Sequence, residues 1–389
     1  MLFRGFMKDN CAMILIRRFK YELIVVLIWG VAVASKILYN GLVFGFDYGT
    51  YQPDGKFYTY MALDFLHQNP QKSAQLVVDW YLENGFKMNT FTIQDLIPST
   101  SYAYPIISHR ILYPLLSVPF VAMFGIPGML AVPALALLAM LMSVQILAKK
   151  FNVQLIGLIL VVILSTSPTV LRWMIINCTD SLLAGLFALV PICLIKINEK
   201  RVVWFFPITA LVLLTSATRF ILPLWLAVCT VMFFRTMYKK EFFGLAVLSF
   251  VSALPALTSQ ISTALLPGEV STSTASKILI LPISFVRVVS IDVLQLAVLD
   301  RILLITLTIA LLLSFRTIRN ISSQMYFAAL LSTYLIGAIN GTLGVNFRYQ
   351  MPVLIFCAWV FLESFEVTNG SLRLVTPAKR HIKIDKTQN

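Results

Sequence analysis

Five arginines in this chain lie beside or within long apolar stretches, where a positive charge is costly. The guanidinium group donates several hydrogen bonds in a fixed fork, which matches the oxygens of a phosphate. Several such side chains on one side of the protein would therefore bind an anion. The five are Arg110, Arg172, Arg219, Arg287 and Arg348. Any one of them could instead lie at the lipid–water boundary, and Arg219 could form an ion pair with Asp180.

Two aspartates could accept the proton that a hydroxyl group loses when it attacks a substrate. Asp54 belongs to a turn, Gln52-Pro53-Asp54-Gly55-Lys56, that leads into an aromatic helix start. Asp180 lies at the N-terminus of a helix predicted from Ser181. Either carboxylate could instead cap its helix, because aspartate is favoured at helix N-termini. Asp47 is a weaker candidate for the role of Asp54.

Metal chemistry has little basis in the sequence. The three histidines and five cysteines form neither C-x-x-C pairs nor the spacing of zinc ligands. His109 directly precedes Arg110, and it is either a polar residue at head-group depth or part of a substrate site. The sequence therefore implies no disulfide framework, no zinc site built by the protein and no firm cofactor.

The composition is that of a membrane protein. Of 389 residues, 59% are hydrophobic and 12% are charged, whereas a soluble domain carries about 25% charged residues. Apolar stretches recur along the chain, each near the length of about 20 residues that a spanning helix needs. The net charge of +14 falls mostly in short loops between these stretches. It therefore marks the cytoplasmic side of the membrane and does not indicate nucleic-acid binding.

The basic loops predict which apolar stretches cross the membrane. The stretches cover residues 21–44, 107–124, 127–147, 153–171, 181–197, 202–217, 220–234, 241–261, 294–315, 323–341 and 350–365. Basic residues such as Lys149 and Lys150 share a side with the N-terminus only if 107–124 does not span. Pro114 and Pro119 also interrupt this stretch, so it is expected to lie at the outer interface or to re-enter. About ten spans are therefore predicted, with both termini in the cytoplasm.

The predicted fold is an all-α polytopic membrane domain over residues 1–365. A polar cytoplasmic tail follows over residues 366–389. The first outer loop is assigned to residues 45–126 and the second to residues 262–293.

Two features of this layout concern the outer side. Within the first outer loop, residues 56–67 and 72–84 each have one apolar face, as helices that lie on a membrane surface do. Residues 202–234 must cross the membrane twice, and they supply about 50 Å of helix against the roughly 60 Å required. Arg219, at the turn, is therefore expected to lie just below the outer surface, facing a wet cavity and an anion.

Four short motifs together resemble the GT-C superfamily of integral membrane glycosyltransferases. Asp54-Gly55-Lys56-Phe57-Tyr58 is similar to a D-G-x-F-Y signature of uncharacterised bacterial members, and the segment from Arg110 to Leu116 resembles the R-x-L-x-P-L-L element that follows it. The segment from Arg348 to Pro352 resembles an R-Y-x-x-P entry into a late helix. Asp180, which follows Arg172, matches an outer carboxylate of the family.

The resemblance implies a GT-C-like fold and transfer of a sugar from a polyprenyl-phosphate donor. The acceptor would be a glycan, a lipid or a protein at the outer face of a bacterial inner membrane. Asp54 would be the base, and Asp180 an alternative base or a group that orients the acceptor. The remaining site residues would bind the substrate and its phosphate. They are Arg110, Arg219, Arg348, Arg172, His109 and Tyr58.

The first-loop acid of this chain departs from the family pattern. Members of the family carry paired acidic residues there, whereas Asp54 stands alone. A divalent metal is therefore possible but not firmly implied.

Two other classes of membrane protein stay open. An O-antigen polymerase or ligase also has outer arginines, but in large loops of the later half, whereas the charge-rich loop here comes first. A transporter or flippase of an anionic lipid-linked substrate commonly has internal repeats and broken helices near mid-membrane. No repeat is recognisable here, although prolines such as Pro168 and Pro191 interrupt apolar stretches.

Overall fold

The structure is a computed structural model that describes residues 19–39, 54–84, 92–101, 104–219, 221–258, 281–339, 347–368 and 371–374. This part of the chain is helical apart from one short hairpin. The first half contains α1 (Phe19–Tyr39), α2 (Gly55–His67), α3 (Pro70–Glu83), α4 (Ile93–Leu96), α5 (Tyr104–Ile107), α6 (Leu112–Phe124), a 3-10 helix (Ile126–Leu130), α7 (Ala131–Lys150), α8 (Gln154–Thr166), α9 (Pro168–Met174), α10 (Thr179–Phe187) and α11 (Val190–Asn198). The second half contains a 3-10 helix (Val202–Trp204), α12 (Phe205–Ser216), α13 (Leu222–Lys239), α14 (Gly244–Ser252), α15 (Leu281–Leu299), α16 (Arg301–Arg316), α17 (Ile321–Ile339), α18 (Val353–Ser364), β1 (Phe365–Thr368) and β2 (Ser371–Leu374).

Among the described residues, four helical segments are long and apolar enough to cross a membrane. They are α1, Ile126–Lys150, Thr179–Asn198 and α15. A fifth is present if α8 and α9, which are bent by 71° relative to each other, form one broken span. The chain therefore has the helices of a membrane protein, and the number of about ten spans stays a prediction.

The first outer loop contains the two predicted helices. α2 ends at Gln68, which adopts the left-handed conformation, and Asn69 caps α3 by accepting a hydrogen bond from the backbone amide of Lys72. Pro70 at the first position of α3 supports this start. The apolar stretch 107–124 is reduced to α6, whose 13 residues give about 20 Å of helix. This length is less than the roughly 30 Å of a bilayer core. α12 and α18, which belong to predicted spans, are similarly short, so the prediction that 107–124 does not span stays a prediction.

The range 262–293 predicted for the second outer loop extends too far. α15 begins at Leu281 and is continuous to Leu299, so residues 281–293 are helical and part of a helix long enough to span. Residues 262–280 lie outside the described residues. The predicted tail from residue 366 begins within a hairpin, in which Phe365 pairs with Leu374.

The apolar stretch 294–315 is divided at Asp300, which separates α15 from α16. Its carboxylate accepts hydrogen bonds from the backbone amides of Leu303 and Thr169, each at 3.2 Å, and from the hydroxyl of Ser167. One buried aspartate thus caps α16 and joins it to the start of α9. An apolar run gives no sign of such a break, because its hydrophobicity continues on both sides of the acid.

The packing of the helices brings distant loops to one end of the bundle. α2 packs against α6, and α7 packs against both α8 and α10. α13 and α18 pack against α17. The starts of α2, α6 and α10, the turn between α12 and α13, and the turn before α18 come together as a result.

Candidate functional site

Five charged side chains from these five segments meet in one cluster, here named the acid–arginine cluster. It consists of Asp54, Arg110, Asp180, Arg219 and Arg348. All five were predicted as site residues. Their positions in the chain extend from the start of α2 to the turn before α18, so only the tertiary fold brings them together.

Asp180 lies at the centre of the cluster and is buried. One carboxylate oxygen accepts a hydrogen bond from Nη1 of Arg219. The other accepts one from Nε of Arg348 at 2.6 Å. Asp180 is not the helix cap that its position could have indicated, because Cys178 occupies the N-cap of α10. Its carboxylate instead holds two guanidinium groups beside each other.

Asp54 is the more exposed carboxylate, with 32% of its side chain accessible. Its Oδ2 lies 3.2 Å from Nη2 of Arg348 and 3.7 Å from Nη1 of Arg110. The residue occupies the N-cap position of α2, but its side chain makes no capping hydrogen bond. Arg348 therefore bridges the two aspartates, and Asp54 is the more accessible of the two.

Tyr58 links the cluster to the core through Arg110. Nη1 of Arg110 donates a hydrogen bond to the Tyr58 hydroxyl at 3.0 Å. The Tyr58 ring is buried and meets Tyr113 edge to face, with 5.5 Å between ring centroids. Burial raises the pKa of Tyr58 above its ordinary value, although Arg110 opposes this effect. Tyr58 is therefore an uncharged hydroxyl at neutral pH, and it orients Arg110 without neutralising it.

Aromatic rings flank the other two arginines. Arg219 donates a hydrogen bond to the Tyr349 hydroxyl at 2.6 Å, and its guanidinium carbon lies 4.2 Å from the centroid of the same ring. The guanidinium of Arg348 lies 5.6 Å from the centroid of Trp173. Burial lowers the pKa of Arg348, but the Asp180 carboxylate outweighs this effect, so its pKa lies well above the ordinary value. Arg348 therefore stays charged.

Other predicted residues lie at the edge of the cluster. Arg172 contacts the ring of its neighbour Trp173 at 5.5 Å, and no described ion pair joins it to either aspartate. The prediction that Arg172 binds the phosphate together with the other arginines thus has no support from its contacts. His109 is half-buried in the turn before Arg110. Arg287 is exposed on α15, and Asp47 lies outside the described residues.

Sequence reasoning missed the residue that joins α2 to α10. The side-chain amide of Asn177 donates to the carbonyl of Gly55 at 3.3 Å and to the hydroxyl of Thr59 at 3.0 Å. Its oxygen accepts a hydrogen bond from Tyr113 at 2.8 Å. A Cβ atom at Gly55 would lie only 3.1 Å from the Asn177 carbonyl oxygen, so glycine permits this close approach. The only sequence signal for Asn177 was its position three residues before Asp180.

The cluster does not suit a divalent metal. Within the described part of the chain, no three histidine, cysteine, aspartate or glutamate side chains come together. Both aspartates face guanidinium groups, which would repel a cation. The possible metal implied by the resemblance thus has no fitting ligand set among these residues.

The net charge of the acid–arginine cluster is positive, since three arginines face two aspartates. It can therefore hold an anion and, at Asp54, accept a proton from a neighbouring group. No protein-family model, curated protein or solved structure matches this chain. The chemistry of the cluster is consequently the basis for assigning a function.

Proposed function

We propose that this protein is a membrane glycosyltransferase that transfers a sugar from a polyprenyl-phosphate donor to an acceptor hydroxyl at the outer face of the membrane. The observation that carries the proposal is the acid–arginine cluster. It combines an excess of guanidinium groups, each at most 14% exposed, with one accessible carboxylate. These are the two groups that such a transfer requires.

The arginines bind the phosphate of the donor. As the bond between the sugar and the phosphate breaks, negative charge builds up on the leaving polyprenyl phosphate. Hydrogen-bond donors that already point at this charge stabilise it most effectively when water is excluded. Arg348 and Arg219 are held in place by Asp180, and Arg110 is held by Tyr58. Little reorganisation is therefore needed when the charge develops.

Asp54 takes the proton of the acceptor. The hydroxyl oxygen of the acceptor bonds to the anomeric carbon of the sugar, its proton passes to the Asp54 carboxylate, and the phosphate leaves with the bonding electrons. Asp54 suits this role better than Asp180 because about a third of its side chain is accessible. Asp180 is enclosed by two arginines and serves to position them.

The membrane setting supports the same assignment. The proposed topology has about ten spans with both termini in the cytoplasm of a bacterial cell and the cluster at the opposite side. α1 and α15 expose most of their apolar surface, and such surfaces can lie against the polyprenyl tail of the donor. The lipid would thereby remain in the bilayer while its phosphate enters the cluster.

The test uses membranes that contain the protein and are supplied with polyprenyl-phosphate-linked sugars and candidate acceptors. Asp54→Asn and Arg219→Ala are expected to lose sugar transfer, while Arg201→Ala, at an exposed residue that pairs with Glu199 outside the acid–arginine cluster, keeps it. Normal turnover in both site variants would overturn the assignment. Equal protein levels and melting temperatures for the compared variants exclude a folding defect.

A transporter of the same anionic lipid is the second candidate, because one feature specifically favours it. α8 and α9 are bent by 71°, and broken helices of this kind line substrate sites in transporters. The two functions differ in their products. Purified protein in vesicles that moves intact donor between leaflets without releasing polyprenyl phosphate is a transporter, whereas release that depends on the acceptor identifies the transferase.

A further inference from the structure

The turn before α18 carries two residues of the candidate site and adopts an unusual conformation. Arg348 and Tyr349 both contact the charged groups of the acid–arginine cluster. Phe347, which precedes them, has φ of +63°, the left-handed region that aromatic residues rarely adopt. Its side chain is buried. A strained residue next to a site residue needs surrounding contacts that hold it in place.

The contact that holds this turn comes from α15. Asp292 is buried, with 4% accessibility, and its Oδ1 accepts a hydrogen bond from the backbone amide of Phe347 at 3.0 Å. Within the described residues, its Oδ2 has no hydrogen-bond partner. The carboxylate belongs to a helix that is otherwise apolar enough to span a membrane. Asp292 is separated from Phe347 by 55 positions in the sequence, so the bond is a tertiary tether.

A buried carboxylate with so few partners does not stabilise the fold. Removing a charged group from water costs more than one hydrogen bond returns, and an apolar side chain of similar size is often more stable at such a site. An ionisable residue inside a spanning helix is for this reason a candidate functional residue. The amide that Asp292 binds lies one position before Arg348, which indicates that the acid positions this arginine.

We infer that Asp292 is a positioning residue for the anion site. Its bond to the Phe347 amide fixes the turn in the left-handed conformation that directs Arg348 and Tyr349 toward Asp180 and Arg219. The inference rests on the proposed function for the identity of the anion, a polyprenyl phosphate. The tether itself does not depend on that identity.

The test compares two substitutions of Asp292. A structural role and a positioning role predict different effects of these substitutions on stability and on binding. Asp292→Leu removes the buried charge but also the acceptor of the Phe347 amide. These two effects on stability oppose each other, so we expect a melting temperature close to that of the wild type. Asp292→Asn keeps an oxygen that can accept the Phe347 amide proton. Leu296→Ala, at a buried position one turn further along α15, is the matched control for damage to this helix.

Hydrogen–deuterium exchange of peptides that contain residues 347–352 measures the tether directly. We expect faster exchange there in Asp292→Leu and wild-type exchange in Asp292→Asn and Leu296→Ala. Binding of undecaprenyl phosphate in nanodiscs should weaken at least tenfold in Asp292→Leu alone. Unchanged exchange in Asp292→Leu, or an equal loss of binding in Leu296→Ala, would overturn the inference. If the wild type itself fails to bind undecaprenyl phosphate, the proposed function is wrong, and the exchange data still decide whether the tether exists.

Discussion

Two groups of charges lie at opposite ends of the same helices and differ in composition. Asp180 begins the α10–α11 segment and Lys196 is near its end, about 24 Å away at 1.5 Å per residue. Arg219 precedes α13 and Arg235 is near its end. The charges at the end away from the acid–arginine cluster are here named the far group. Their ion pairs are Glu22 with Lys149, Glu199 with each of Lys150, Lys196 and Arg201, and Arg235 with Glu241. The acid–arginine cluster uses only arginine as its cation, whereas the far group is rich in lysine.

The far group has the properties of a topology signal. Lys149 and Lys150 leave 48% and 45% of their side chains exposed, and exposed ion pairs contribute only about 0–1 kcal/mol each. Lysine and arginine serve equally where charge only has to remain on the cytoplasmic side, which is the side predicted for this group. In the acid–arginine cluster the three arginines and Asp180 are at most 14% exposed, and the arginines carry the hydrogen-bonding fork that lysine lacks.

Burial alone does not distinguish the two ends, as Arg235 shows. This arginine is buried in the far group and is satisfied by Glu241, by the carbonyl of Arg319 at 3.0 Å and by the side chain of Gln324 at 3.0 Å. One cation meets one carboxylate and two neutral acceptors there. The acid–arginine cluster has three cations for two carboxylates. The excess of positive charge, rather than burial, is what points to an anionic ligand.

The largest expected effect concerns the acid that joins two arginines. Asp180→Ala leaves both guanidinium groups buried without their carboxylate, which costs about 3–5 kcal/mol. Glu199→Ala in the far group should cost about 1 kcal/mol or less. Thermal unfolding in detergent compares the two variants. Equal losses of stability would remove the distinction between the two ends.

A substitution that keeps the charge tests whether the fork matters. Arg348→Lys retains the cation but cannot bond Asp180 and Asp54 together, and a lost hydrogen bond to a charged group costs about 1.5–3 kcal/mol. We expect binding of undecaprenyl phosphate to weaken roughly 10- to 150-fold. Lys150→Arg, the reverse change in the far group, should leave this binding unaltered. If Arg348→Lys binds as the wild type does, charge alone accounts for the cluster.

A smaller effect is expected at the hydroxyl that orients Arg110. Tyr58→Phe removes one hydrogen bond of about 0.5–1.5 kcal/mol. The Michaelis constant for the lipid donor should rise a few-fold, with little change in turnover number or melting temperature. Tyr326→Phe, which removes a buried hydroxyl elsewhere that donates to the carbonyl of Leu307 at 3.2 Å, serves as the control. A rise of the same size in this control would mean that Tyr58 only fills space.

The smallest expected effect is the influence of salt on the stability that each end of the helices provides. Raising the ionic strength from about 0.01 M to 1 M shortens the Debye length from about 30 Å to 3 Å and screens exposed pairs far more than buried ones. The stability lost by Glu199→Ala should therefore vanish at high salt, whereas the loss in Asp180→Ala should persist. Melting temperatures at both salt concentrations check this expectation.

Much of the candidate site could be predicted from residue type and position. The short length of residues 202–234 predicted that Arg219 lies at a turn just below the outer surface. The structure has a turn at residues 217–219 with Arg219 buried, and its depth in a membrane stays a prediction. The ion pair of Arg219 with Asp180, which the sequence left open as an alternative, is also present, and the anion site at this arginine stays a proposal. The helices over 56–67 and 72–84, in the predicted first outer loop, were predicted because each has one apolar face, and a turn leads into the first of them.

The parts that could not be predicted depend on tertiary contacts. Asn177 and Trp173 contact residues that are far away along the chain. Neither belongs to a sequence pattern that distinguishes it from other polar or aromatic residues. Arg172 was grouped with the other arginines because of its predicted side of the membrane, but the guanidinium group contacts the ring of its neighbour Trp173, a contact that the sequence pattern does not indicate. The interruption at Pro168 was predicted and is present as the break between α8 and α9, whereas the break at Asp300 was missed because apolar content continues through it.

The central claim is that the acid–arginine cluster opens to the outer side and receives a lipid phosphate there. Asp54→Cys in a background without the five native cysteines tests it with a maleimide that cannot cross the membrane, applied to intact cells. Position 54 should be labelled from outside, and added polyprenyl phosphate should slow the labelling, whereas Glu199→Cys should be labelled only after the membrane is permeabilised. Labelling of position 54 that requires permeabilisation would contradict the account.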